Sequence, residues 1–385
     1  MSRYRSYLEV AKQIISNYRG EIPFAIHLKN FFSGKKKFGS TDRKTISALC
    51  YNYFRAAHAL NGSDDEKIIH AFFLMNENVH PFLKEMNDEL NQKSSLTVAE
   101  KLELLKIEAE NLFPFADHIS TDININSFCN SFLRQPALFL RLRPGKEEAV
   151  LRKFDEAGVA YKRPGQRSLR LANSIKLENI ISINKEAVVQ DLSSQHTLDY
   201  INENLFNELP VDVWDCCAAS GGKSILAYDL LKQEVRLTVT DIRSNILKNL
   251  MQRLAEAGVP LYRSAVKDLG KTISGMEKFG MIICDAPCTG SGTWARTPEQ
   301  LHFFKEEKIR YYSNLQKQII QNTVRQLKPG GIFVYITCSV FAEENEQQVE
   351  HILQQPGMSL LHQQYVEGYE HRADTLFTST FRLSS

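Results

Sequence analysis

The stretch Asp285–Arg296, "DAPCTGSGTWAR", sets Cys288 behind an Asp-Ala-Pro, and a second cysteine closes "YITC" fifty positions later (338 − 288 = 50). Two such thiols could form a disulfide, hold a metal, fill a core or share a covalent catalytic cycle. A thiolate metal site needs Cys-x-x-Cys spacing with further Cys or His beside it, and no such group occurs. Cys216 and Cys217 are adjacent and cannot both reach one ion comfortably, so no metal is expected. Seven cysteines, an odd number, argue for thiols rather than a disulfide framework. The opening "MSRYRSYLEVAKQIISNYRG" is charged throughout and has no apolar leader core, so a reducing, cytoplasmic setting is expected. Cys50, Cys129 and Cys284 lie in apolar runs and are expected in cores. Cys288 and Cys338 differ, because each stands where an apolar strand would end.

Carbon 5 of a pyrimidine is a poor nucleophile until a thiolate adds to carbon 6. It can then take a methyl group, and its proton must leave before the thiol is eliminated. Such a cycle uses a nucleophilic cysteine, a carboxyl near ring N3 and a second thiol that assists release. The nucleophile's pKa must be lowered by positive charge or a helix N-terminus, and Lys223 is a candidate source of that charge.

A donor site is legible upstream. "VDVWDCCAASGGKS" (211–224) reads as an apolar strand, an Asp at its tip, a small-residue loop and a helix start. Small residues let backbone approach a ligand, and a helix N-terminus offers free N–H groups. "GGKS" is not an NTPase phosphate loop, because Cys217 stands five before Gly222 (222 − 217 = 5), where that motif needs glycine, and Ala218 follows it. A dinucleotide Gly-x-Gly-x-x-Gly is also missing. "RLTVTD" ends in Asp241, 26 residues after Asp215 (241 − 215 = 26), and "AVKD" and "MIICD" end in Asp268 and Asp285. One Asp at a strand end is most often a helix cap. Four at successive strand tips suit a cationic nucleoside such as S-adenosyl-L-methionine.

The elements that must position these residues follow from periodicity. From about residue 185 strand-like and helix-like runs alternate, which implies a parallel sheet flanked by helices. Upstream, "ALFLRLRPGKEEAVLRKFDEAGVAYKR" reads as strand, turn at Pro144-Gly145, helix, Gly158 and strand, a small α+β module. From Tyr4 to about Cys129 apolar residues recur at helical spacing, with Ser40, Thr41 and Asp42 as candidate caps. No apolar run approaches ~20 residues, so no membrane span is expected. The net charge of +2 is unevenly spread. Residues 1–60 carry eleven Lys/Arg, among them Lys35, Lys36, Lys37, Arg43 and Lys44, against Glu9, Glu21 and Asp42. Arg134, Arg141, Arg143, Arg163, Arg167 and Arg170 form a second basic block. Both could be solvated faces, and together they suggest a polyanionic partner.

In order, "VVQDLSSQ", "DCCAASGGKS", Asp241, Asp268, "DAPCTGSG" and "ITCSVFAEENEQQVE" resemble the successive motifs of the RsmB/Sun-type (Fmu) RNA cytosine-5 methyltransferases, over roughly residues 130–385. The resemblance implies Cys338 as nucleophile, Cys288 as the thiol that resolves the adduct and Asp285 at the target base and cofactor. It implies cofactor contacts from Asp215, Cys216, Ala218, Ala219, Ser220, Gly221, Gly222, Lys223, Asp241, Arg243 and Asp268. RNA contacts are implied for Arg43, Arg141, Arg143 and Arg296, the last in "SGTWARTPE". Two positions depart from the family pattern. Ser220 replaces the proline of Ala-Pro-Gly-Gly-Lys, and Arg143 stands where Asn is common. "FGSTDRKTISALCYNYFR" resembles the NusB-like helical domain that precedes such enzymes.

The expected architecture is α/β. A Rossmann-like doubly wound methyltransferase domain (186–385) follows a small α+β RNA-recognition-like module (131–185) and an all-α NusB-like domain (1–130). The expected activity is S-adenosylmethionine-dependent methylation of cytosine carbon 5 in ribosomal (small-subunit) RNA by a monomer, with tRNA as the other substrate. Three rivals are weaker. A DNA cytosine-5 enzyme would need Glu-Asn-Val after the Pro-Cys loop, and that tripeptide occurs only at Glu77–Val79. A non-catalytic RNA-binding adaptor should have lost thiols or carboxylates, and a small-molecule methyltransferase needs neither basic block.

Overall fold

The computed structural model describes residues 2–35, 37–272 and 277–385; Lys36 of the basic run lies outside the described residues. The chain divides into two compact units, Met1–Gln135 with Thr293–Glu306, and Pro136–Gly292 with Glu307–Ser385.

The regular elements described in the first unit are all helical. Helix Arg3–Asn17 starts on Ser2, whose hydroxyl accepts from Arg5 N at 3.3 Å. Helix Asp64–Met75 starts on a Ser63/Glu66 capping box. Helix Ser40–Ala56 takes Gly39 as its N-cap, one residue before the expected group, because Asp42 in the first turn reaches back to accept from Gly39 N at 2.8 Å. Their apolar stripes meet in a core that includes Leu8, Ile14, Phe24, Ile46, Phe54 and Phe73. Segment Thr293–Glu306 folds as part of this unit. Trp294 is fully buried, its ring 5.7 Å from Phe113 and 4.6 Å from Phe304, and Phe303 lies 5.3 Å from Tyr18.

The second unit contains two sheets. β1 (Leu138–Leu142), β2 (Lys162–Gly165), β3 (Ser168–Leu171) and β4 (Ala187–Val189) form an antiparallel sheet of order β2-β3-β1-β4, with helix Glu147–Glu156 between β1 and β2. This sheet runs past residue 185, because β4 pairs the other edge of β1, Leu140 opposite Val189. Leu140, Leu142, Val150, Phe154 and Leu169 fill its core.

The larger sheet is built from β5 (Val211–Asp215), β6 (Val235–Asp241), β7 (Leu261–Val266), β8 (Phe279–Asp285), β9 (Leu327–Thr337), β10 (Met358–Glu367) and β11 (Thr375–Leu383), in the order β10-β11-β9-β8-β5-β6-β7. β7, β6, β5, β8 and β9 pair in parallel. β11 lies antiparallel between β9 and β10, since the short Gly368–His371 connection reverses the chain. The strands are apolar on both faces, as a covered sheet requires. Val213, Val239, Ile283 and Ile336 pack with Ile225, Leu250 and Leu254 on one side, while Trp214, Ile282, Phe333 and Tyr335 pack with Ile319, Ile320 and Phe377 on the other.

Because 293–306 belongs to the helical unit's core, a fragment of residues 136–385 should carry this segment unpacked. Limited proteolysis read by mass spectrometry should cut between 293 and 306 in the fragment and spare those bonds in the full chain.

Candidate active site

From β5 the chain winds outward through β6 and β7, then returns to place β8 and β9 on the other side. This reversal puts a crevice at the carboxyl ends of β5 and β8. Asp215, Asp241 and Asp285 are the last residues of β5, β6 and β8, and Asp268 follows β7. The four carboxylates therefore line one end of one sheet.

β8 and β9 pair with Asp285 opposite Ile336, so Cys288 and Cys338 leave neighbouring strands side by side. Their Sγ atoms are 3.3 Å apart, and both residues are half-buried. Gly292 N donates to Cys338 O at 2.9 Å, which ties the two loops. A Cβ on Gly292 would lie 2.0 Å from Thr375 O, so only glycine permits that approach. Hydrogen bonding to Cys338, with burial, pushes the Cys288 thiol well above its ordinary pKa and keeps it protonated.

Lys223, in the first turn of helix Gly222–Leu230, donates to Asp285 Oδ2 at 2.6 Å. Burial opposes its charge, but Asp285, then Cys338 and Asp215, outweigh burial and raise its pKa. A firmly charged ammonium thus stands beside the thiol pair. Asp215 is fully buried, which pushes its carboxyl up to about 7; the Asp285 charge adds to this, and the Ser224 hydroxyl, 2.5 Å away, opposes it. Its Oδ1 is buried without a partner among the described residues. Burial also opposes ionisation of Asp241, yet Arg243 and the Ala219 amide, 3.0 Å away, win and hold it below the usual carboxylate range. Asp268 accepts from Gly270 N at 3.1 Å and pairs with Lys271 at 3.2 Å.

The loop before the helix is bent through left-handed residues, Ala219 at φ 43° and Gly221 at φ 79°. Ser220, at the position the family gives to proline, is held instead by Arg253, whose Nη1 donates to Ser220 O at 3.1 Å and to its hydroxyl at 3.0 Å. The amides of Gly222, Lys223 and Ser224 precede the first intrahelical bond, Ile225 N to Gly221 O.

Three residues expected to make contacts are buried. Arg141 and Arg143, expected against RNA, are turned inward. Arg141 Nη1 donates to Asp229 Oδ2 at 2.6 Å, and Arg143 Nε to Asp229 Oδ1 at 2.9 Å. Strand alternation explains the reversal, since Leu140 and Leu142 fill the small core and the odd positions face helix Gly222–Leu230. Cys216 faces away from the crevice, its thiol in the core with Trp214 and Cys284 and its amide donating to Ile283 O at 3.0 Å. Arg43 and Arg296 are exposed. Glu344, Asn345, Arg253 and Asp229 are not singled out by sequence pattern, although Glu344 and Asn345 lie in "VFAEENE". A charged residue following a strand carries no sequence mark of burial.

Residues 204–379, which include both thiols and all four aspartates, match the family model described as 16S rRNA methyltransferase RsmB/F. This segment is similar to the RsmB/F methyltransferases. Ribosomal RNA small subunit methyltransferase B of Klebsiella pneumoniae (strain 342) is 32% identical over 178 residues, 45% of this chain and 39% of that relative. The protein of the same name in Yersinia pestis bv. Antiqua (strain Angola) is 31% identical over 177 residues, 43% of this chain and 38% of that relative. The match thus spans about two-fifths of the length of these curated relatives. Among solved structures, the crystal structure of PH0851 is similar over 98% of both chains with a TM-score of 0.70 at 18% identity. NSun6 from Pyrococcus horikoshii, solved with SFG, has a TM-score of 0.59 at 16% identity over 71% of this chain and 97% of its own. At such identities these two show the fold alone. Among the described residues no helix is long and apolar enough to cross a membrane, and no cluster of three or more His, Cys, Asp or Glu could hold a metal.

Asp215 gives the crevice a pH signature. Its folded pKa, about 7, lies above its unfolded value, so its contribution to stability is fullest below about pH 4 and is lost as pH rises towards 7. Relative to Asp215→Asn, the wild-type protein should lose urea stability steadily between about pH 4 and 7, measured as the difference in unfolding midpoints across that range.

Proposed function

We propose that the protein transfers a methyl group from S-adenosyl-L-methionine to carbon 5 of a cytosine in RNA, with small-subunit ribosomal RNA as the substrate. The observation that carries this reading is the 3.3 Å contact between Cys288 and Cys338 beside the Lys223–Asp285 pair.

The residues fit the cofactor. The partnerless Oδ1 of Asp215, the amides of Gly222, Lys223 and Ser224, and a loop no bulkier than Ser220 over residues 218–222 leave polar groups and space for a cationic nucleoside. Asp241, with Arg243, would hold its ribose, and Asp268 with Lys223 would flank it. S-adenosylmethionine, when bound, supplies an electrophilic methyl group.

Cys338 is the nucleophile in this reading. Its sulfur bonds carbon 6 of the flipped cytosine, while Asp285 holds the N3 edge of the ring and Lys223 favours the thiolate through its positive charge. Once carbon 5 carries the methyl group, its proton leaves and the sulfur–carbon 6 bond breaks. Cys288, in contact with the departing sulfur and held as S–H, passes its proton to Cys338 as that bond breaks and takes up the carbon-5 proton in its place.

The helical unit is read as the NusB-like RNA-binding domain. Exposed Arg43 and Lys44 border a hollow of about 460 Å³ with Phe38 and Ser40 and supply phosphate contacts, as does exposed Arg296. The small sheet is read as the RNA-recognition-like module, without base or phosphate contacts from Arg141 or Arg143.

Three experiments test this. After incubation with rRNA and S-adenosylmethionine, Cys288→Ala should give a slow-migrating, RNase-sensitive band on a denaturing gel, and Cys338→Ala should give none. A band only for Cys338→Ala would reverse the two roles, and no band with an inactive wild type would refute the RNA reading. In filter binding, Arg43→Glu and Arg296→Glu should weaken RNA affinity and flatten its salt dependence. Arg141→Ala should instead cost stability, about 3–5 kcal/mol from leaving Asp229 half-paired, read by urea unfolding.

A further inference from the structure

Glu344 is fully buried, yet no cation pairs with it among the described residues. Its two oxygens accept four hydrogen bonds. Oε1 takes Thr289 N at 3.0 Å and Gln316 Nε2 at 2.9 Å; Oε2 takes the Thr289 and Ser339 hydroxyls, each at 2.5 Å. Thr289 directly follows Cys288 and Ser339 directly follows Cys338, so one carboxylate grips the residue behind each thiol. Gln316 Nε2 also donates to Pro287 O at 2.9 Å, bracketing Cys288 from its other side. Glu344 is itself fixed, since Tyr335 Oη donates to its carbonyl at 2.7 Å.

From this geometry we propose that Glu344 is the positioning residue of the two-thiol site, a single buried carboxylate that sets the separation of Cys288 and Cys338 and biases which of them carries the proton. The inference rests on the two thiols working as a pair and adds the group that makes them one.

Neutral side chains could have joined these loops. An uncompensated buried carboxylate is costly even when hydrogen-bonded, so its charge needs a use. Burial raises the Glu344 pKa, and the hydroxyl and amide donors oppose that rise. Its field adds to those of Cys338 and burial in raising Cys288. The thiol of Cys288 is thereby kept as the proton-bearing member of the pair. Among the described residues, other ionisable groups near the pair are Tyr312 from helix Glu307–Val324, Tyr335 from β9, and Lys223 with its partner Asp285 across the crevice.

The test uses the full chain without RNA. Iodoacetamide alkylation of Cys288 and Cys338 is followed separately by peptide mass spectrometry across pH in wild type, Glu344→Gln and Glu344→Ala. Glu344→Gln keeps the shape and removes the charge, so the alkylation profile of Cys288 should move to lower pH, with a rate gain on the order of tenfold at a fixed pH below its pKa. Glu344→Ala should also free the loops, so that a short bifunctional thiol reagent should bridge the two cysteines in wild type but not in this variant. In turnover, both variants should lose kcat while the Kd for S-adenosylmethionine stays within about threefold, because the cofactor residues lie at the ends of β5, β6 and β7 and the start of helix Gly222–Leu230, none of them bonded to Glu344. A Cys288 profile in Glu344→Gln that superimposes on wild type, with kcat within about twofold, overturns the proposal. Should Glu344→Ala fail to fold, the Gln variant alone decides. Since alkylation needs no substrate, its outcome is independent of whether RNA is the acceptor.

Discussion

The site depends on the parallel pairing of β8 with β9. With Asp285 opposite Ile336, Cys288 leaves its strand three residues beyond that level and Cys338 two residues beyond it (288 − 285 = 3; 338 − 336 = 2). A slip of one residue would turn each side chain to the other face and separate the sulfurs. The register is held by burial on both faces, with Ile283 and Ile336 on one side and Ile282 and Phe333 on the other. The core is thus what brings into contact two cysteines fifty positions apart (338 − 288 = 50).

Charge buried above that core is arranged in closed groups. Lys223 pairs with Asp285 at the crevice, and Asp229 receives both Arg141 and Arg143 behind it. Ion pairs of this kind contribute little net stability, but each is expensive to break, and so each enforces one arrangement. Arg143 also donates to Ala257 O at 2.8 Å, and Arg253 joins Asn184, Val189 and Ser220. The small sheet is therefore wired by guanidinium groups to the helices flanking β5 and β6 and to the bent loop. A chain without the proline of that loop has a substitute in Arg253, which restrains Ser220 by hydrogen bonds rather than by a ring.

The connection after Cys288 has a different character. Four residues beyond the thiol (292 − 288 = 4) the chain leaves the second unit at Gly292, contributes Trp294, Leu301 and Phe303 to the helical unit, and returns at Glu307. Such a strap is invisible to periodicity, because "SGTWARTPEQLHFF" reads as a loop and a short helix whichever core receives it.

Much of this is legible in local pattern. The alternation of strands and helices, the aspartates at strand tips and the small-residue loop are short-range features, and a single β-strand or helix turn sets where each side chain points. Charge alone is a poorer guide at Arg141 and Arg143. It suggests solvent and RNA, but the period of β1 aims both at Asp229, eighty-eight and eighty-six positions away (229 − 141 = 88; 229 − 143 = 86). Cys216 reads as a loop residue in the same way, yet its side chain continues the core face of β5. Neighbouring residues thus suffice for the doubly wound fold and for the inventory of reactive groups, because periodicity and strand ends are written in them. Which charges are buried, which thiols touch and which carboxylate holds them emerge only on folding, because these depend on contacts between segments far apart in the chain.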